Sequence, residues 1–363
     1  MKLLSIVGAR PQLVKLAVIA ADLRARANTI EHRILHTGQH YDKEMSDCFF
    51  RELQIPVPDY NLAVGSGGHG SQTGRMLAGI ESVLSTWRPD AVIVYGDTNS
   101  TISGALAASK LQIPVVHLEA GLRSFNRRMP EELNRVATDH LSDLLLCPTA
   151  AAITNARREG LEAKSWLTGD VMLDLLTQVA PTLARHPLAK ERFALITVHR
   201  AENTDDAVRL GNLMTILRAL PVRVILPMHP RLRAKLGPAA VRELETLSHI
   251  HMIGPCEYGD MLALERDASM ILTDSGGVQK EAYFLSVPCL TLRDETEWTE
   301  TLQGNWNRVL GMDPEPVLEI AKSLLKSNGY TPVGSPDLSQ FGSGRAAQAS
   351  VDVILNTLGG NNA

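Results

Sequence analysis

The chain lacks any excess of positive charge: 36 Lys and Arg stand against 40 Asp and Glu, a net charge of −4 over 363 residues. Nucleic-acid and polybasic membrane partners need clustered cations, so neither is expected. Long apolar runs are missing too, and none approaches the roughly 18 residues of a membrane span. The opening MKLLSIVGARPQ has an apolar part too short for a signal peptide and reads as a first core strand. Only four cysteines occur, Cys48, Cys147, Cys256 and Cys289, and their scattered spacing points to buried free thiols in a reducing cytoplasm. No Walker loop or G-x-G-x-x-G fingerprint is present, which removes the two commonest phosphate signatures. There is no internal repeat. His36 and His40 stand four apart, but they straddle a strand end and a glycine, and no metal site is expected.

What is present is an ordinary globular composition, 44% apolar and 21% charged, at a length that allows two domains. The chain is organised around residues 91–135. An apolar run, Ala91 to Tyr95, stops at Gly96-Asp97-Thr98-Asn99-Ser100, a glycine followed by helix-capping residue types. An Ala-rich helix follows to about Lys110, then a second apolar run, Ile113 to Leu118, which ends at Glu119-Ala120-Gly121. Two parallel strands joined by this helix would present Asp97 and Glu119 at one carboxyl edge, where open α/β sheets bind ligands. Glu131 and Glu132 arrive on the next helix, just before Arg135. Crowded carboxylates are costly unless they serve a site or pair with cations. A proton-transfer or cation-stabilising site is the reading; the bland alternative has Asp97 capping a helix and Glu119 in a salt bridge.

Other strand ends carry polar residues of the same kind. Leu3–Val7 leads to Gly8-Ala9-Arg10-Pro11 and a helix with Lys15, a loop and two cations suited to a phosphate. The run Gly65 to Gly70 reads as a mobile loop and a possible lid. Strands ending at Cys147 and Thr168 continue the alternation, and the pattern resets near Thr168-Gly169-Asp170, where a domain boundary is expected. Beyond it, one strand ends at His199-Arg200-Ala201-Glu202 and the next at His229, both positioned for ligand contact. Ser269–Thr273 feeds Asp274-Ser275-Gly276-Gly277, where missing side chains let backbone N–H groups approach a diphosphate, with Glu281 a turn further along. The alternative is an N-cap, Asp274 or Ser275, with no ligand. Residues 342–358 read as a final helix followed by a Gly- and Asn-rich tail.

Taken in order, Gly-Ala-Arg-Pro, Thr-Gly-Gln-His, Gly-Asp-Thr, Glu-Ala-Gly-Leu-Arg, Pro-Glu-Glu-Leu-Asn-Arg, His-Arg-Ala-Glu and Asp-Ser-Gly-Gly resemble the non-hydrolysing UDP-N-acetylglucosamine 2-epimerases over nearly the whole chain. The resemblance implies an α/β fold of two Rossmann-like doubly wound domains with a central cleft, the glycosyltransferase-B type. The expected domains are 1–170, 171–345 with the nucleotide, and 346–363 as a helix returning to the first. It implies an isomerase that inverts C2 of a UDP-sugar by eliminating UDP to a 2-acetamidoglucal and adding it back. Arg10, Lys15, Arg135, His199 and the Ser275-Gly276-Gly277 turn would stabilise the leaving diphosphate. Asp97, Glu119 and Glu131 would share proton transfer and charge stabilisation, in no order the sequence decides. His229, Glu281 and Glu297, the last in the Arg-Asp-x-Thr-Glu segment, would complete substrate binding. No cofactor and no metal are expected; a cytoplasmic homodimer is.

Two segments depart from the family pattern. Tyr41-Asp42-Lys43-Glu44-Met45 follows Gln39-His40 where relatives with an allosteric substrate site carry glutamines, so that regulation is in doubt. Arg123-Ser124-Phe125-Asn126-Arg127-Arg128-Met129 looks more like epimerases acting on UDP-2,3-diacetamido-2,3-dideoxyglucuronate, with Arg127 or Arg128 available to a C6 carboxylate. A glycosyltransferase of the same fold, a hydrolysing epimerase and a UDP-sugar-binding regulator remain as alternatives.

Overall fold

The computed structural model describes residues 1–39, 49–326 and 331–359; His40, the segment 41–45 and Cys48 lie outside them. The chain divides into two compact units, Met1–Gln178 with Leu338–Ala363, and Val179–Asp337.

The first unit is built on seven parallel strands: β1 (Lys2–Val7), β2 (Glu31–His36), β3 (Tyr60–Asn61), β4 (Ala91–Tyr95), β5 (Val115–Leu118), β6 (Leu144–Cys147) and β7 (Ser165–Leu167). Their order is β3-β2-β1-β4-β5-β6-β7. β4 is buried at all five positions, as expected of a parallel strand with helices on both faces, and so it reads as an uninterrupted apolar run. Around the sheet lie α1 (Arg10–Ala25), α2 (His69–Trp87), α3 (Asn99–Lys110), α4 (Pro130–Leu141), α5 (Ala150–Arg158) and α6 (Val171–Val179). Small residues let α3 lie close to the sheet: a side chain at Gly104 would meet Val94 Cγ1 at 2.9 Å and Ile6 at 3.1 Å.

The second unit repeats the plan with six parallel strands: β8 (Phe193–Thr197), β9 (Arg223–Pro227), β10 (Ile250–Ile253), β11 (Met270–Thr273), β12 (Cys289–Thr291) and β13 (Asn307–Val309), ordered β10-β9-β8-β11-β12-β13. Its helices are α7 (Ala201–Thr204), α8 (Ala207–Ala219), α9 (Pro230–Thr246), α10 (Tyr258–Asp267), α11 (Gly276–Phe284) and α12 (Pro314–Leu324). The chain then returns to the first unit, where α13 (Ala346–Leu358) packs on α1 and Arg26 pairs with Asp352 at 2.6 Å.

Three sequence expectations need adjusting. The chain leaves the first unit after Gln178 and re-enters at Leu338, rather than near 170 and 346. The reason is α6, whose Val171, Leu173, Leu175 and Leu176 are buried, and whose Asp174 accepts from the N–H groups of Ala346 and Ala347 at the start of α13. The glycine-rich run is a loop only as far as Gly68, since α2 begins at His69 and takes in Gly70. Cys147 and Cys289 are buried free thiols, whereas Cys256 is half-buried.

In both sheets the order reverses in the middle, between β1 and β4 and between β8 and β11. Loops leaving neighbouring strands there run to opposite faces and open a crevice at the carboxyl edge. Each unit therefore has one such position, and the residues singled out above cluster at both.

Candidate active site

At the reversal point of the first unit, the loop after β1 meets the ends of β4 and β5. Gln12, three residues into the turn, fixes that loop: its Oε1 accepts from Gly8 N–H (2.7 Å) and Ala9 N–H (3.0 Å), while its Nε2 donates to the Tyr95 carbonyl (2.8 Å) and Thr101 Oγ1 (3.0 Å). Only glycine fits at position 8, since a Cβ would fall 2.0 Å from Thr37 Oγ1. α1 then delivers Lys15, which is 5% exposed and ion-paired with Glu119. Arg10, at the start of α1, lies 5.3 Å from the Phe49 ring.

Asp97 does not cap α3; Thr98 does, accepting from Thr101 N–H. The Asp97 carboxylate instead pairs with Arg135 from α4, and its carbonyl accepts from Asn134 Nδ2 at 3.0 Å. Arg135 also reaches Glu132 Oε2 at 3.1 Å. Glu132 is buried and accepts from Ser124 N–H (2.9 Å), Ser124 Oγ (3.0 Å) and Phe125 N–H (2.9 Å), so it anchors the loop ahead of α4. Glu131, half-buried in the first turn, makes no hydrogen bond or ion pair among the described residues. Arg127 and Arg128, exposed in the turn before it, likewise have no carboxylate partner there.

The second unit has a matching arrangement. Asp274, fully buried at the end of β11, accepts from the N–H groups of His199 (3.1 Å) and Arg200 (3.0 Å) and from Asn203 Nδ2 (3.0 Å). It thereby fixes the turn after β8, and His199 Nδ1 lies 3.4 Å from its Oδ1. The rings of His199 and His229 are 5.4 Å apart. Ser275 caps α11 and Gly276 begins it, where a Cβ would stand 2.6 Å from Glu297 Oε1. Gly277 follows in the same turn. Glu297 pairs with the fully buried Arg293 at 2.9 Å, and Glu281 accepts from Tyr258 Oη at 3.0 Å.

Thus Lys15, Asp97, Glu119 and Arg135 meet in the first unit, with Glu131 at the same edge. His199, His229, Ser275, Gly276 and Glu297 meet in the second. Gln12 could have been found from its place in a capping box. Glu132 and Arg293 stand in segments noted above, but their anchoring roles were not legible there, since their partners come from turns whose course only the fold decides. His36 accepts from Gly38 N–H, and no metal-holding cluster occurs among the described residues.

Two doubly wound units, each carrying cations and carboxylates at its reversal point, define an α/β enzyme of the two-Rossmann-unit class. The family profile for UDP-N-acetylglucosamine 2-epimerase matches residues 22–355, and the chain belongs to that family. It is 46% identical to a UDP-N-acetylglucosamine 2-epimerase homolog of Methanococcus maripaludis, over 98% of this chain and all of that one. Identity is also 46% with the UDP-2,3-diacetamido-2,3-dideoxy-D-glucuronate 2-epimerase of Pseudomonas aeruginosa, over 90% of this chain and 92% of that one. Among solved structures, the Methanocaldococcus jannaschii UDP-GlcNAc 2-epimerase in complex with UDP-GlcNAc and UDP matches with a TM-score of 0.89 and 41% identity, covering 98% of this chain and all of that one.

Proposed function

We propose that the chain interconverts UDP-N-acetylglucosamine and UDP-N-acetylmannosamine without net hydrolysis. The observation that carries this reading is the pair of carboxylate–cation couples at the reversal point of the first unit, Lys15–Glu119 and Arg135–Asp97, beside Glu131, which has no partner among the described residues.

The C2 hydrogen of such a sugar is not next to a carbonyl and is very weakly acidic. Elimination offers a lower route: a base takes the C2 proton while the C1–O bond to the diphosphate breaks, leaving a C1=C2 double bond and free UDP. Re-addition of UDP at C1, with the proton returned to the other face of C2, completes the inversion. A base works best with its lone pairs unoccupied, which favours Glu131. Asp97 and Glu119, each beside a cation, are suited to opposing positive charge at C1. Lys15, Arg135 and Arg10 can transfer their attraction to the departing diphosphate. In the second unit, His199, His229 and the Ser275-Gly276-Gly277 turn are suited to the phosphates, Glu281 to the ribose hydroxyls and Glu297 to the sugar. A cytoplasmic homodimer is the proposed setting; no helix among the described residues is long and apolar enough to cross a membrane.

The test is proton NMR of the protein with UDP-GlcNAc in deuterated water. The expected product is UDP-ManNAc deuterated at C2, with no accumulating UDP, and Glu131→Gln abolishes deuterium uptake. Free ManNAc with stoichiometric UDP would overturn the non-hydrolysing outcome, and turnover only with an added acceptor would indicate a glycosyltransferase. A second reading, the diacetamido-uronate as substrate, is favoured by Arg127 and Arg128, exposed and without carboxylate partners among the described residues just ahead of Glu131. Silence with UDP-GlcNAc and turnover of the uronate, lost in Arg127→Ala or Arg128→Ala, would establish it.

A further inference from the structure

His117, Asp139 and Arg123 have no role in the chemistry above, yet they form a deeply buried cluster of titratable side chains in the first unit. His117 lies on β5, two residues before Glu119, and its side chain is fully buried, as is that of Asp139. Both ring nitrogens face acceptors: Nδ1 is 2.6 Å from Asp139 Oδ1, and Nε2 is 2.7 Å from the carbonyl oxygen of Gly96. Asp139, on α4, also accepts from Gly121 N–H (3.1 Å) and Arg123 Nη1 (2.7 Å) through its other oxygen. Arg123 forks onto both oxygens of Glu159, each at 2.7 Å, and donates to the Leu122 carbonyl at 2.6 Å. Lys164 Nζ donates to the Asp139 backbone carbonyl at 3.0 Å, and His140 lies on the far side of Glu159 at 3.2 Å.

A carbonyl oxygen cannot donate, so Nε2 of His117 carries a proton. The second proton lies between Nδ1 and Asp139. Burial pushes the Asp139 carboxyl up, but His117 and Arg123 outweigh it and hold the group below its ordinary range. A clamp that donates to both acceptors, the Asp139 oxygen and the Gly96 carbonyl, requires a proton on each ring nitrogen.

That carbonyl belongs to a sensitive place. Gly96 has φ +60° and Glu119 φ +65°, both left-handed, at the ends of adjacent strands joined by a Gly96 N–H to Leu118 carbonyl bond of 3.0 Å. Gly96 also sits under the Lys15–Glu119 pair, since a Cβ there would stand 3.0 Å from Lys15 Nζ and 3.5 Å from Glu119 Oε1. We propose that His117, Asp139 and Arg123 are positioning residues: a buried clamp that holds the Gly96–Asp97 peptide and the turn after Glu119, so that both carboxylates meet the sugar in one register. This rests on the proposed epimerisation for its catalytic meaning, though not for the protonation state it requires.

Two measurements test it. In the ¹⁵N-histidine NMR spectrum of the wild-type protein at pH 7.5, assigned by the signal missing from His117→Asn, both ring nitrogens of His117 carry protons. In Asp139→Asn, kcat falls on the order of 10- to 100-fold, as displaced catalytic groups do, while KM for the UDP-sugar changes far less. A neutral His117 ring, or a folded Asp139→Asn with wild-type kcat, would overturn the clamp. If Asp139→Asn does not fold, the imidazole signal decides. If the wild-type protein turns over no UDP-sugar, the functional reading falls, and the clamp is judged on that signal alone.

Discussion

Gly96 and Glu119 show how much of the proposed chemistry rests on single backbone conformations. A left-handed φ costs an L-residue roughly 1 kcal/mol or more, and Glu119 bears that cost at the very position where its carboxylate meets Lys15. Non-glycine residues persist in this region when their surroundings over-determine them, and they concentrate at functional sites. Gly96→Ala should therefore do two things: destabilise the fold by about 1–2 kcal/mol, and push Lys15 away from Glu119, with a clear loss of kcat. Gly160 is the control. It has a similar φ of +75° but nothing within 4 Å of its missing Cβ. Gly160→Ala should show comparable destabilisation in urea titrations and wild-type turnover. Equal kcat losses in both would indicate that backbone strain alone, not the crowding at Gly96, matters.

At the scale of elements, two of the loops beside candidate groups are each tied down by one buried carboxylate from a neighbouring segment. Glu132 does this for the loop ahead of α4 and Asp274 for the turn after β8. Removing such an acceptor strands buried N–H groups, which costs more than the bonds were worth. Glu132→Ala would orphan Ser124 N–H and Phe125 N–H and take one partner from Arg135. The expected loss is about 3 kcal/mol, read as a lower urea midpoint, with kcat falling because Arg135 shifts against Asp97. An unchanged midpoint would mean that water or a neighbour replaces the carboxylate.

The same scale explains what the sequence made legible. Parallel strands buried on both faces stand out as apolar runs, so most strands, and the polar residues at their ends, could be read directly. β3 and β13 could not, being two and three residues long with Asn and Arg among them. Asp97, Glu119, Arg135 and Lys15 were identifiable one by one. Their pairing was not, because Lys15 and Glu119 lie 104 positions apart and only strand order brings them together. His117 and Asp139 were illegible for a related reason. A histidine inside an apolar strand and an aspartate on a polar helix look like a core residue and a surface residue until one is laid over the other.

For the whole molecule, the main feature is that one unit is inserted into the other. Two apolar clusters of the second unit, one around Ile196, Leu226, Leu272 and Leu290 and one around Phe193, Ile225 and Ile271, draw only on residues of that unit. The fragment Val179–Asp337 should therefore fold alone, with a cooperative thermal transition and UDP binding detectable by calorimetry. A molten fragment, lacking near-ultraviolet circular dichroism, would show that its core depends on the rest of the chain.

The first unit has no such independence. Its α13 buries Val351 and Ile354, and Asp174 takes the first N–H groups of that helix. On the ribosome these residues are made only after every residue of the second unit. The half bearing Asp97, Glu119 and Glu131 is thus finished last, and a chain cut short by premature termination or proteolysis could retain a folded second unit while lacking a completed first one.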